Sequence, residues 1–222
     1  MNAISSLPPD SSPAASSLDG ERVTWLHHDL PIFLVGMMGA GKTTIGKRLA
    51  RACGRDFLDL DHELEARCGV RVPVIFEIEG EAGFRRRETA ALEECTRQRG
   101  IILATGGGAP VALENRALLK QRGIVVYLRA SVDELWRRTC TDRNRPLLAT
   151  SDPRTTLRDL LARREPIYEE VADIVVDTGS VSISQVLKNL VPLLQSIEKD
   201  IGALPPEVSP AASQASLAPG GK

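Results

Sequence analysis

The sequence predicts an α/β fold, a three-layer α/β/α domain with a five-stranded parallel sheet. Five short runs rich in β-branched residues alternate with longer runs of helical spacing. A glycine-rich turn joins the first strand run directly to the first helical run. This alternation is typical of parallel strands joined by right-handed crossovers, with helices on both faces of the sheet. In such folds ligands bind at the carboxyl ends of the strands.

The individual elements follow from these runs in order along the chain. The predicted strands are PIFLVG (31–36), DFLDL (56–60), IILAT (101–105), IVVYL (124–128) and DIVVD (173–177). The predicted helices cover 42–52, 62–68, 73–79, 81–99, 112–121, 131–141, 153–171 and 182–200. Because no internal repeat occurs at the usual periods, the sequence indicates one folded domain.

The composition is that of an ordinary globular protein. The 222 residues are 42% hydrophobic and 26% charged, and 28 Lys and Arg against 29 Asp and Glu give a net charge of −1. Since there is no overall basic field, we expect no nucleic acid and no membrane among the partners. No apolar run approaches the roughly 20 residues of a membrane helix.

The cysteines and the N-terminus favour a cytoplasmic protein. The cysteines form no CxxC pair and have no histidine at metal-ligand spacing, which predicts reduced thiols at Cys53, Cys68, Cys95 and Cys140. No basic residue precedes Arg22, which argues against a signal or transit peptide. We therefore expect a cytoplasmic location, and we expect a monomer.

Both ends of the chain are rich in Pro, Ala, Ser and Gly. Such segments cannot bury enough apolar surface to offset the entropy lost on ordering. The sequence therefore predicts disordered tails at 1–28 and 203–222 and a folded domain at 29–202.

A phosphate-binding loop is predicted between the first strand and the first helix. Gly36, Gly41, Lys42 and Thr43 match the pattern GxxxxGK[ST] in the strand-to-helix context that it requires. In such loops the backbone N–H groups surround the phosphates, the lysine reaches the β- and γ-phosphates, and the hydroxyl ligates Mg²⁺. The predicted ATP-binding residues of the loop are Gly39, Ala40, Gly41, Lys42, Thr43 and Thr44.

The magnesium ion also needs a carboxylate at the end of another strand. The candidates are Asp59 and Asp61 after the second strand and Asp177 after the fifth. The first two are favoured because residues two apart in an extended segment point the same way, so both carboxylates face the cleft. One then serves the metal and the other the phosphate acceptor. An N-cap role at the next helix is the structural alternative for either.

Four motifs follow this acidic pair: GFRRRE (83–88), ATGGGAP (104–110), NRPLL (144–148) and ARREPIY (162–168). Together with the loop and in this order, they resemble the shikimate kinases of the P-loop nucleoside-monophosphate-kinase-like group. The resemblance runs from about residue 31 to 191, and gluconate and adenylate kinases share the loop but not the series. It implies a P-loop kinase fold with a mobile lid. It also implies ATP-dependent phosphorylation of the 3-hydroxyl of shikimate, in aromatic amino-acid biosynthesis, with Mg²⁺ as cofactor.

The resemblance also assigns roles on the acceptor side. Asp61 matches the acid beside the reacting hydroxyl, which it deprotonates or orients as a catalytic residue, and Asp59 is then left to bind the metal with Thr43. Arg85 and Arg164 match the two arginines that bind the carboxylate of shikimate. Gly107 matches the glycine that contacts the substrate.

Two of these assignments have neighbouring alternatives. Arg163 is the alternative to Arg164. Of the three consecutive arginines 85–87, at most two can face one pocket, because neighbours on a helix point about 100° apart. We therefore expect Arg86 and Arg87 to lie on the surface, able to pair with Glu88 or nearby acids.

The polar segment 140–155 interrupts two helical patterns and is predicted to form the lid over ATP. Within it, Arg145 matches the lid arginine of the family, so the resemblance makes it an ATP-binding and catalytic residue together with Lys42. The resemblance also implies that adenine packs near the turn DTGSVS (177–182), which offers only small polar groups and Val181.

Two other functions are compatible with parts of the sequence. One is a kinase of another small polyol acid such as gluconate, which does not account for the paired arginines and the triple glycine. The other is a non-catalytic nucleotide-binding regulatory protein, which does not account for the joint presence of the donor and acceptor residues.

Overall fold

The computed structural model describes residues 17–18, 21–22, 29–141, 146–148 and 150–203. The predicted lid arginine, Arg145, lies outside the described residues, as does most of both predicted tails. Within the predicted N-terminal tail, β1 (Ser17–Leu18) pairs antiparallel with β2 (Glu21–Arg22).

The predicted five-stranded parallel sheet is confirmed. Its strands are β3 (Ile32–Val35), β4 (Asp56–Asp59), β5 (Ile101–Ala104), β6 (Ile124–Arg129) and β7 (Ile174–Asp177). Their order is β4-β5-β3-β6-β7, and every neighbouring pair is parallel. Each predicted strand agrees with these bounds to within one residue at either end, because the buried central strands are nearly continuous apolar runs.

The central strand β3 explains where the site lies. It pairs with β5 on one side and β6 on the other, with Phe33 opposite both Leu103 and Val125. The chain therefore builds β4 and β5 on one side of β3 and then crosses to build β6 and β7 on the other. A reversal of this kind opens a crevice at the carboxyl ends of the strands, where ligands bind in open α/β sheets.

Helices cover both faces of this sheet. They are α1 (Lys42–Cys53), α2 (Leu60–Cys68), α3 (Val72–Cys95), α4 (Leu113–Arg122), α5 (Val132–Thr139), α6 (Pro153–Val171) and α7 (Ile183–Ala203). Two short 3₁₀ turns, Ala109–Val111 and Pro146–Leu148, connect them. None of the helices in the described part of the chain is long and apolar enough to cross a membrane.

The longest helix contains the break that the sequence predicts. Gly80 has non-helical angles (φ 66°, ψ −177°) and divides α3 near the predicted boundary between 73–79 and 81–99. The second part ends at Cys95, earlier than predicted, because the N–H groups of Arg97 and Gln98 bond three residues back. This tightened turn leads into Gly100, whose φ is 65°.

A buried ion pair fixes the C-terminal helix to the rest of the domain. Arg55 Nη2 lies 2.9 Å from Glu198 Oε1, and the two side chains are 0% and 1% exposed. Arg55 also donates to the carbonyl oxygen of Leu30. The pair therefore joins the end of α1, the entry to β3 and the last turns of α7.

Replacing Glu198 by alanine is expected to destabilise the protein by about 3–5 kcal/mol, because it leaves the buried guanidinium of Arg55 without its anion. Urea unfolding followed by circular dichroism measures the loss. Lys199→Ala is the control, since Lys199 is the exposed next residue of the same helix. An equal shift of the unfolding midpoint in both variants would contradict a specific role for the ion pair.

Candidate active site

The predicted phosphate-binding loop joins β3 to α1 at the crevice. Gly39 (φ 82°) and Gly41 (φ 97°) adopt left-handed angles, which glycine reaches without strain. The loop ends at the N-terminus of α1, whose unpaired N–H groups and dipole favour a phosphate. Lys42 Nζ donates to the carbonyl oxygens of Gly36 (2.8 Å) and Met37 (3.0 Å). The ammonium group is thus held over the loop, within reach of any phosphate bound there.

Not every predicted loop residue faces the cleft. Gly39, Gly41, Lys42, Thr43 and Thr44 line it. Ala40 is 1% exposed, and its N–H donates to the Met37 carbonyl at 3.1 Å. Its part in the site is therefore to shape the turn of the loop.

The two aspartates of the DLD pair have different backbone positions. Asp59 ends β4 in an extended conformation and caps α2, where its Oδ1 accepts from the Asp61 N–H at 3.2 Å. Asp61 therefore lies in the first turn of α2, and the argument from an extended segment was wrong for it, because this cap starts the helix at Leu60. Both aspartates nevertheless line the same cleft.

Thr43 and Asp59, which the sequence predicts as metal ligands, lie next to each other in the structure. Thr43 Oγ1 donates to Asp59 Oδ2 at 2.7 Å, across the gap between α1 and β4. Hydroxyl and carboxylate oxygens suit Mg²⁺, which is bound through few protein ligands and keeps several waters. The described residues contain no cluster of three or more His, Cys, Asp or Glu able to hold a metal.

Two clefts meet at this edge of the sheet. The cleft over the phosphate-binding loop has a volume of about 460 Å³, and the second has about 100 Å³. The larger is lined mainly by the loop, Asp59, Thr105 and Arg138. Both are lined by Met38, Asp61 and Gly107, so a single wall separates them. A large ligand on the phosphate side and a small ligand on the other side would face each other there.

The smaller cleft is charged on one side and apolar on the other. Its polar lining comes from Asp61, Arg85, Glu88, Arg164 and the triple-glycine loop. Its apolar lining comes from Met38, Val72, Phe76, Phe84 and Leu147. Such a lining suits a small ring that carries an anionic group.

Arg85 is the arginine of its triplet that faces this cleft. Its Nη1 donates to Glu88 Oε2 at 2.6 Å and its Nη2 donates to Glu81 Oε1 at 3.1 Å. Arg87 turns away and pairs with Glu79 at 2.6 Å. Arg86 and Arg87 are exposed, as predicted, and Arg87 pairs with a nearby acid. Glu88 pairs with Arg85 instead, because a residue three positions along the helix lies on the same face.

Glu88 is a site residue that the sequence reasoning missed. Its side chain is 1% exposed, and Oε1 has no hydrogen-bond partner among the described residues. Burial raises the pKa of this carboxyl, Arg85 lowers it, and Asp61 raises it further. The only signal in the sequence was its spacing of three residues from Arg85.

Arg163 and Arg164, the two candidate arginines of α6, differ in burial. Arg164 is 7% exposed and lines the smaller cleft, whereas Arg163 is exposed and donates to the Asp159 carbonyl at 3.1 Å. Arg164 Nη1 is buried without a hydrogen-bond partner in the part of the chain that the structure describes. Because an unpaired buried guanidinium nitrogen is costly, this position is suited to bind an anion.

The triple glycine packs against the site. A Cβ on Gly106 would clash with Glu88, and a Cβ on Gly108 would clash with the guanidinium of Arg85. Gly107 lies against the phosphate-binding loop, where its Cβ would be 3.3 Å from the Met38 nitrogen. The absence of side chains therefore lets this loop, the charged pair and the phosphate loop approach closely.

Arg138 also lines the larger cleft and was not predicted. It donates to the carbonyl oxygens of Gly39 (3.2 Å) and Gly179 (2.8 Å), and also to that of Thr178. Thr178 Oγ1 in turn donates to the Ala40 carbonyl at 3.1 Å. The turn after β7, in which the sequence showed only small polar groups, is thus tied to the phosphate-binding loop.

A family model and curated relatives point to the same protein family. The family model described as "Shikimate kinase" matches residues 38–195. The chain is 71% identical to a shikimate kinase of Bordetella avium over 181 residues, which is 82% of this chain and 87% of the relative. It is 73% identical to a shikimate kinase of Bordetella pertussis over 179 residues, or 81% and 85% of the two chains.

Solved structures give the same result. A shikimate kinase from Acinetobacter baumannii in complex with shikimate is 49% identical and has a TM-score of 0.74, over 76% of this chain and 94% of that chain. A shikimate kinase from Aquifex aeolicus is 31% identical (TM-score 0.67), over 76% and 98%. A gluconokinase from Sinorhizobium meliloti is only 15% identical (TM-score 0.51, 79% and 97%) and shares the fold. With these identities over most of its length, the chain belongs to the shikimate kinase family.

Proposed function

We propose that this protein transfers the γ-phosphate of ATP to the 3-hydroxyl of shikimate, giving shikimate 3-phosphate and ADP for aromatic amino-acid biosynthesis. The observation that carries the proposal is the shared wall. The cleft over the phosphate-binding loop and the cleft with the two arginines meet at Met38, Asp61 and Gly107. Donor phosphate and acceptor hydroxyl therefore approach each other at this wall.

On the donor side, the loop binds the phosphates through its N–H groups and through Lys42. Thr43 and Asp59 would hold Mg²⁺, since their oxygens already lie 2.7 Å apart at the mouth of the loop. When bound, the ion neutralises charge on the β- and γ-phosphates. Lys42 exchanges its carbonyl partners for phosphate oxygens, a charge-assisted and stronger interaction.

On the acceptor side, the arginines bind the carboxylate of shikimate. Arg164 offers an unpartnered buried Nη1, and Arg85 lies beside the cleft with its orientation fixed by Glu88. The apolar side of the cleft, including Phe76 and Phe84, packs against the carbon ring. This arrangement leaves the hydroxyl end of the ring to face Asp61.

Asp61 orients the reacting hydroxyl and accepts its proton. Its position supports this role, because it lines both clefts at their junction. Phosphoryl transfer has a loose transition state, so positioning and charge neutralisation contribute more than proton removal. We also assign Arg145 to the lid, where it would bind the transferred phosphate, since NRPLL matches the family pattern there.

The proposal also covers the cellular location and the oligomeric state of the protein. All four cysteines are free thiols, and the net charge is −1. The free thiols support a cytoplasmic location. We also propose that the protein acts as a monomer whose partners are shikimate and ATP.

A substrate panel tests the assignment. Purified protein is given Mg-ATP with shikimate, gluconate or no acceptor, and ADP release is followed with a coupled assay. ADP release that requires shikimate supports the proposal. ADP release that requires gluconate instead, or that is the same with and without an acceptor, would contradict the proposal.

Replacing Asp59 by asparagine is expected to lower kcat about 10²-fold at limiting Mg²⁺ and to raise the Mg²⁺ concentration needed for half-maximal rate, because it removes one carboxylate ligand. Rates measured across a Mg²⁺ titration give both quantities. Asp177→Asn is the matched control, since Asp177 also ends a strand but pairs with Arg129 at 2.7 Å. A stronger Mg²⁺ dependence in Asp177→Asn would contradict the metal assignment.

A further inference from the structure

Tyr168 lies behind the wall that the two clefts share. It is fully buried on α6, and its hydroxyl donates to the Gly107 carbonyl. The same hydroxyl lies 3.4 Å from Met37 Sδ, at the entry to the phosphate-binding loop. Tyr168 follows Arg164 by four residues, so the two side chains lie on one face of the helix. One tyrosine thus contacts elements of both the donor side and the acceptor side.

The peptide that Tyr168 contacts forms part of the shared wall. Gly107 lines both clefts, and it packs closely on the phosphate-binding loop, where a Cβ would lie 3.3 Å from the Met38 nitrogen. The described peptides are all trans, and in a trans peptide the C=O and the following N–H point in opposite directions. The bond to the Gly107 carbonyl therefore also fixes the direction of the Gly108 N–H, in a residue that lines the acceptor cleft.

We propose that Tyr168 is a positioning residue for phosphoryl transfer: its hydroxyl holds the Gly107–Gly108 peptide in place at the junction of the two clefts. The inference rests on the proposed function. Tyr168 lines neither cleft, so it does not contact the substrates. It acts through its bonds to the Gly107 carbonyl and to the Arg164 side chain. Burial raises the pKa of its hydroxyl to about 12, which keeps the donor proton in place over the usual assay range.

The chain supplies a matched control in Tyr127. The two rings lie 5.1 Å apart, and Tyr127 is 1% exposed on β6. Its hydroxyl is buried without a hydrogen-bond partner among the described residues. Tyr127→Phe therefore removes a hydroxyl from the same region of the core without removing a contact to the wall. These two are the only tyrosines in the sequence.

The first test compares the steady-state kinetics and thermal midpoints of Tyr168→Phe and Tyr127→Phe. The loss of one hydrogen bond to the wall should lower kcat about three- to tenfold and raise the KM for shikimate, with the KM for ATP unchanged. Tyr127→Phe should match the parent enzyme. If Tyr168→Phe lowers the thermal midpoint but keeps the parent's kcat and both KM values, the hydroxyl is only structural and the proposal fails. Absence of turnover in the parent protein would instead count against the proposed function.

The second test does not depend on how well Tyr168→Phe folds. Tyr127→Phe labelled with 3-fluorotyrosine carries one fluorine-bearing residue, at position 168. Its ¹⁹F NMR signal should shift when shikimate saturates the protein, because an anion in the acceptor cleft changes the electrostatic field at the Gly107–Gly108 peptide to which the hydroxyl is bonded. An unchanged signal at saturating shikimate would contradict the proposal.

Discussion

Replacing Lys42 by alanine is expected to lower kcat by about 10²–10³-fold and to leave the fold intact. In the structure its ammonium group rests on the carbonyl oxygens of Gly36 and Met37, directly over the phosphate loop. It is the side-chain cation that the loop motif places at the β- and γ-phosphates. Its removal leaves charge uncompensated on the transferring phosphate, so the loss falls mainly on kcat. Steady-state kinetics with saturating shikimate and Mg-ATP measure it.

Lys47→Ala is the matched control for this prediction. Lys47 is an exposed lysine of the same helix, with its ammonium 5.8 Å from the centre of the Phe57 ring. Its replacement should leave kcat within about twofold of the parent. If Lys42→Ala kept the parent's kcat, Lys42 would not be the residue that binds the transferred phosphate. If instead the parent protein binds ATP without turnover, and Lys42→Ala leaves its cellular function intact, the alternative of a nucleotide-binding regulatory protein would be favoured.

Replacing Arg164 by alanine is expected to lower kcat/KM for shikimate by about 10²–10³-fold, with the KM for ATP little changed. Arg164 is 7% exposed, and its Nη1 has no partner among the described residues, so the carboxylate would be its natural ligand. A hydrogen bond to a charged group contributes about 1.5–3 kcal/mol, and two such bonds account for the predicted loss. Arg164→Lys should recover only part of it, because an ammonium group cannot bind a carboxylate bidentately.

Arg163→Ala separates this role from a general effect on α6. Arg163 is the exposed neighbour, bonded to the Asp159 carbonyl. Its replacement should leave the KM for shikimate unchanged. If the two alanine variants lost shikimate affinity equally, the carboxylate would not bind where the structure suggests.

Local features of the sequence were sufficient to predict most of the fold. The β-branched runs gave all five strands, since central parallel strands are buried on both faces and read as apolar. The loop motif placed Lys42 and Thr43 correctly at the start of α1. The arginines of the smaller cleft came from the family resemblance, and burial in the structure favours Arg164 over Arg163.

The parts that the sequence did not predict depend on contacts between distant elements. Tyr168 and Gly107 are 61 residues apart, and Arg138 reaches loop residue Gly39 across 99 residues. Local sequence patterns carry no information on contacts between residues so far apart in the chain. The helical position of Asp61 was missed for a more local reason. Asp59 both ends β4 and caps α2, so the helix begins one residue after the strand ends.

The central claim is that the two clefts are the donor and acceptor halves of one transfer site. ATP labelled in its γ-phosphate, incubated with the protein, Mg²⁺ and shikimate, tests it most directly when the products are separated by ion-exchange chromatography. The account predicts label in a phosphorylated shikimate, in equal amount to the ADP formed. Label released as inorganic phosphate, with shikimate unmodified, would contradict it.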